Sequence, residues 1–97
     1  MKFITDKIYG LDYTDYLKIL PKNSVDLAII DPPYNLKKAE WDMFISREAF
    51  LSFTYDWIDK ALPTMKETGT VYIFNTPDNA AFILQHLLKR GLKFQNW

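Results

Sequence analysis

Cysteine is absent from this chain, which excludes disulfides and thiolate metal sites, and a single histidine, His86, leaves a zinc centre without its usual ligands. Excess charge is also missing. Twelve basic and twelve acidic residues cancel formally, so no global field draws the chain toward a polyanion. A piece that gripped a nucleic-acid duplex on its own would ordinarily carry a basic face, and none is announced here. No apolar run approaches membrane-spanning length, and Met1, Lys2 and Phe3 open no signal peptide. The expectation is a soluble, cytoplasmic chain without metal or membrane. Glycine is scarce too, at positions 10, 69 and 91, no two of them two apart. At 97 residues the chain has room for one domain with a modest core.

What is present is organised around residues 25–35, Val-Asp-Leu-Ala-Ile-Ile-Asp-Pro-Pro-Tyr-Asn. The apolar run at 27–30 has the length and β-branched content of a strand buried on both faces, as in a parallel sheet. It stops at Asp31. Pro32 and Pro33 follow at once, each with a fixed φ and no N–H to donate, so the turn is stiff. Such a turn holds the Asp31 carboxylate, the nearby carbonyls and the Tyr34 ring in one arrangement at the carboxyl end of a strand, where open α/β sheets bind ligands. Acceptors beside an aromatic plate suit a flat molecule bearing an amino group, the combination used to grip a base drawn out of nucleic acid. The plain alternative is a loop opening followed by a packed tyrosine.

In chain order, residues 3–9 read as a short strand ending at Gly10. Asp12 is placed to cap a helix in which Tyr13, Tyr16, Leu17 and Leu20 repeat at helical spacing before Pro21. A βαβ unit results, and the right-handed crossover rule sets residues 10–13 on the same rim as Asp31. Residues 35–44 have no period and read as a loop carrying Lys37, Lys38 and Trp41. The two lysines suit phosphate contacts and Trp41 suits a cover over a base; a solvated lysine pair and a folded-in tryptophan are the plain alternative. Ser46 caps a long helix with Glu48 in its first turn and one apolar stripe through Phe50, Phe53, Trp57, Ile58, Ala61, Leu62 and Met65, broken near Pro63. Residues 70–74 read as a further strand. Thr76, Pro77 and Asp78 open a last helix that Gly91 should stop, with His86 structural among leucines. Leu92, Phe94 and Trp97 alternate as a final strand.

Asp31-Pro32-Pro33-Tyr34 after an apolar strand, followed by Asn35-Leu36 and then Trp41-Asp42, resembles the catalytic motif of DNA amino-methyltransferases, specifically the adenine-specific ones. The likeness runs through the chain, and the tetrapeptide is its specific part. It implies an α/β fold: a partial Rossmann-like doubly wound sheet of the S-adenosylmethionine-dependent methyltransferase type, with about four mainly parallel strands and three helices. It also implies one incomplete catalytic domain over 1–97, because the family's glycine-rich cofactor turn and target-recognition region have no counterpart here. The missing carboxyl-terminal half, or a second polypeptide, would complete the fold.

By the same resemblance Asp31, Pro32, Pro33 and Tyr34 are catalytic, and Asp12, Tyr13 and Asp31 border S-adenosylmethionine, although Asp12 is equally a simple helix cap. Lys37, Lys38 and Trp41 are the candidates for contact with double-stranded DNA whose target base is flipped. The implied reaction is transfer of a methyl group to the exocyclic amine of adenine in a restriction-modification setting. Two alternatives stay open: an inactive or partner-dependent fragment, and an amino-methyltransferase for cytosine or another amine or amide.

Overall fold

A computed structural model describes residues 3–37 and 42–97. Three helices and two strands follow in the order α1 (Tyr13–Ile19), β1 (Val25–Ile30), α2 (Arg47–Ala61), β2 (Met65–Ile73) and α3 (Pro77–Lys89). β1 and β2 pair as a two-stranded parallel sheet. The chain divides into two compact units, one of Met1–Ile29 with Trp57–Tyr72, the other of Ile30–Asp56 with Ile73–Trp97.

In the first unit, Asp12 caps α1 by accepting from the Thr14 N–H at 2.9 Å and the Thr14 hydroxyl at 2.5 Å, as its position predicts. Asn23 turns the chain in the left-handed region, at φ 54°, so that the N–H groups of Asn23 and Ser24 donate to the carbonyls of Pro63 and Thr64. That anchoring extends β2 back to Met65, earlier than β-propensity places its start. Trp57 and Ile58 are the buried apolar residues of this unit. Gly69 is fitted closely: a Cβ there would lie 2.8 Å from Met65 Cε and 3.0 Å from the carbonyl oxygens of Lys66 and Val25.

In the second unit Ser46 caps α2, its hydroxyl accepting from the Ala49 N–H at 3.0 Å. Phe50 and Ile83 are its buried apolar residues, and Phe44 packs at 5.1 Å and 5.2 Å from the rings of Phe50 and Phe53. His86 stacks on Tyr55 at 4.3 Å with nearly parallel planes, the structural role its leucine neighbours suggest. α3 closes as a Schellman motif. Leu92 N–H bonds to Leu87 O and Gly91 N–H to Leu88 O, with Gly91 at φ 89°, a conformation that glycine adopts without strain.

The four-strand, doubly wound expectation is not what the described residues form. Residues 3–9 are no strand, because Asp6 at φ 57° turns the backbone and the Tyr9 hydroxyl both accepts from Ile4 N–H and donates to Ile4 O. Phe3, Tyr9 and Tyr16 gather there as an aromatic cluster, with the rings of Tyr9 and Tyr16 5.4 Å apart. Residues 92–97 are irregular as well; Phe94 packs on Trp97 instead of joining a ladder. Alternation prepares a strand, but a strand exists only beside a partner. β1 is also not buried on both faces. Leu27 and Ile29 are 53% and 65% exposed, so its apolar run covers one side only.

Candidate active site

β1 delivers the motif as the sequence suggests: Phe74 N–H donates to the Ile30 carbonyl at 3.0 Å, and the next residue is Asp31. Asp31 is exposed, whereas Pro32, Pro33 and Tyr34 are half-buried. The Tyr34 hydroxyl donates a short hydrogen bond to Asp31 Oδ1. That bond, then burial and the charge of Asp31, push the phenol above its ordinary range, since ionising Tyr34 would set two anions together. Acid and ring therefore meet in one small cluster.

The chain beyond Tyr34 is held by residues that the motif does not contain. Asn79, buried in the first turn of α3, donates from Nδ2 to the Tyr34 carbonyl at 2.8 Å and to Asn75 Oδ1 at 2.9 Å. Asp42 is only 4% exposed. Its Oδ1 accepts from Asn35 N–H and its Oδ2 from Leu36 N–H, each at 2.7 Å. Burial alone would raise its carboxyl, but the backbone N–H groups of residues 34–37 outweigh burial and hold it below the usual carboxylate range. Asn35 Oδ1 and Asn75 Nδ2, an acceptor and a donor, are buried without a protein partner. Arg47 and Asp78 tie the starts of α2 and α3 together at 3.5 Å, with the Arg47 guanidinium 4.7 Å over the Phe82 ring.

Of the residues expected to act, Asp31, Pro32, Pro33 and Tyr34 lie together in the second unit, and Lys37 follows there, exposed, at φ 62°. Lys38 and Trp41 lie outside the described residues. Asp12 and Tyr13 belong to the first unit, where Thr14 occupies Asp12 Oδ1 and holds the carboxyl below its ordinary value, first through the hydroxyl and then through the N–H. No cluster of three potential metal-ligating side chains occurs among the described residues, and no described helix is long and apolar enough to cross a membrane.

Sequence reasoning quoted Asp42 within the motif but gave it no role, and it missed Asn79. A signal existed for Asn79: asparagine competes with the helical backbone, so one inside a first turn invites a search for its partner. For Asp42 there was less to find, since the nearby left-handed residues that need an anion become visible only in three dimensions.

A family model described as a DNA methylase matches residues 25–97. Type II methyltransferase M1.MboII of Moraxella bovis is 53% identical over 92 residues, covering 95% of this chain and 35% of that protein. Type II methyltransferase M.BamHI of Bacillus amyloliquefaciens is 35% identical over 101 residues, 98% of this chain and 23% of that one. DNA adenine methyltransferase YhdJ of Escherichia coli (strain K12) is 36% identical over 70 residues, 69% and 24% of the two chains. The chain thus spans about a third of the length of these relatives, or less.

Proposed function

This chain belongs to the N6/N4 DNA methylase family, and from that membership we propose that it is the catalytic-motif portion of an adenine-specific DNA methyltransferase of a restriction-modification system. The substrate is an adenine flipped out of duplex DNA. The observation that carries this reading is the cluster at 31–34: an exposed carboxylate and an aromatic ring in contact on a proline-stiffened turn at the end of β1.

The exocyclic amine of adenine is a poor nucleophile because its lone pair is delocalised into the ring. Asp31 and the Pro32 carbonyl accept its two hydrogens, which favours a pyramidal nitrogen with a localised lone pair. Tyr34 stacks on the base and replaces part of the stacking lost on extrusion. The amine competes with the Tyr34 hydroxyl for Asp31, so base entry exchanges one hydrogen bond for another. As positive charge grows on nitrogen, the Asp31 carboxylate stabilises it; positioning and electrostatics do the work without a covalent intermediate.

S-adenosylmethionine supplies the methyl group when bound. The residues of this chain do not make up its full cradle: Asp12 Oδ1 is committed to capping α1, and no two glycines stand close enough for a glycine-rich turn. Polypeptide equivalent to the rest of the relatives would supply that cradle and the surface that reads the DNA sequence.

The adenine preference rests on the resemblance of Asp31-Pro32-Pro33-Tyr34 to the motif of adenine-specific amino-methyltransferases, where an acid rather than serine at the first position fits adenine better than cytosine. Its test is nucleoside analysis of DNA methylated by a fusion in which this chain replaces the matching third of the Moraxella bovis methyltransferase. N6-methyladenine is expected; N4-methylcytosine as the product would overturn the adenine assignment.

A further inference from the structure

The peptide group between Tyr34 and Asn35 is held at both of its polar atoms. Its carbonyl accepts from Asn79 Nδ2 at 2.8 Å, and its N–H donates to Asp42 Oδ1 at 2.7 Å. A peptide is planar, so two hydrogen bonds from opposite edges fix its orientation, and with it the Cα that carries the Tyr34 ring. On the other side of Tyr34, Pro32 and Pro33 have fixed φ angles. We infer that Asp42 is a positioning residue of the candidate active site: by holding the amides of Asn35 and Leu36, it sets the backbone that carries Tyr34 against Asp31.

The local backbone explains why a carboxylate is needed. Asn35 and Lys37 both stand at φ 62°, a conformation that costs Lys37 roughly 1–2 kcal/mol, and an asparagine less, and that the surroundings must impose on the lysine. Left-handed residues placed this way turn successive N–H groups toward one point, a concavity that attracts an anion. Asp42 fills it with one oxygen per N–H, both bonds short as charge-assisted bonds are. An asparagine there keeps one acceptor and sets an amide donor against a backbone N–H. The catalytic consequence rests on the methyl-transfer reading above; the geometric claim does not.

The test is a titration of Tyr34 in the full chain by NMR of ring-labelled tyrosine, with Tyr34→Phe identifying the resonance and the Ile83 methyl signal reporting that the second unit is folded. In the unaltered chain Tyr34 should ionise above the ordinary tyrosine value. In Asp42→Asn it should return to that value while the Ile83 signal stays in place, because the ring no longer meets Asp31. A folded Asp42→Asn chain in which Tyr34 titrates as before overturns the inference. Should Asp42→Asn unfold the unit, Asp42→Glu decides: a folded unit with lowered Tyr34 titration supports the role. An unchanged titration, or unfolding again, overturns it, since Asp42 would then hold the fold and not the turn. In the fusion with the Moraxella bovis remainder, Asp42→Asn should lower kcat about a hundredfold with KM for DNA nearly unchanged. The titration uses neither DNA nor cofactor, so a fusion that methylates nothing with Asp42 intact counts against the methyl-transfer reading alone.

Discussion

Replacing Asn79 with alanine removes two hydrogen bonds, to the Tyr34 carbonyl and to Asn75 Oδ1. Each is worth about 1 kcal/mol, and the Tyr34 carbonyl, left in a part-buried place without its donor, adds up to about 1 kcal/mol more. Alanine gives back roughly 0.5 kcal/mol as the better helix former. The net loss should be about 2 kcal/mol, roughly thirtyfold in the folding equilibrium. Urea unfolding followed at the Ile83 methyl signal measures it. Asn79→Asp should lose at least as much, because a carboxylate then faces the Tyr34 carbonyl and cannot donate to it. If Asn79→Ala unfolds within about 0.5 kcal/mol of the unaltered chain, the side chain does not hold the turn and the reasoning fails.

Three further outcomes follow from the same geometry. Gly69→Ala should destabilise the first unit by roughly 1–3 kcal/mol in urea unfolding, and trimming Met65 to alanine should restore only part of that, since the Lys66 and Val25 carbonyls remain 3.0 Å from the new Cβ. Gly91→Ala meets no atom within 4 Å but stands at φ 89°, so its loss of about 1 kcal/mol should be purely conformational, with asparagine costing less. Asp42 is held below its unfolded value, so its contribution is fully present above about pH 4 and is lost as pH falls through the folded value. The stability gap between the unaltered chain and Asp42→Asn, measured by urea unfolding across the acid range, should therefore shrink as the pH drops below 4, and a constant gap would contradict this.

The parts legible in the sequence are those set by neighbours along the chain. Ser46 before α2, Pro63 after it, Asp12 before α1 and Gly91 after α3 each act on backbone groups within a few residues, and each acts where its type predicts. The 31–34 turn was legible for the same reason, because two prolines fix it locally. Strand pairing is set at a distance. Residues 3–9 and 92–97 have strand composition, yet Asp6 and Gly91 stand at positive φ beside them and the Tyr9 hydroxyl folds the first segment back on itself. The roles of Asp42 and Asn79 were not legible: Asn79 meets Tyr34 from 45 residues away, Asp42 meets Asn35 seven residues back only where the backbone turns left-handed, and their shared grip on one peptide group gives them a role.

The proposal that the 31–34 turn is a methylation site meets its most direct test in Asp31→Ala within the fusion, scored by methyl incorporation into DNA alongside the Ile83 methyl signal. Asp31 is exposed and accepts from the Tyr34 hydroxyl of the same turn, so the fold should survive its loss. The account predicts a folded protein with methylation abolished. A folded Asp31→Ala protein that methylates DNA at the normal rate would contradict it.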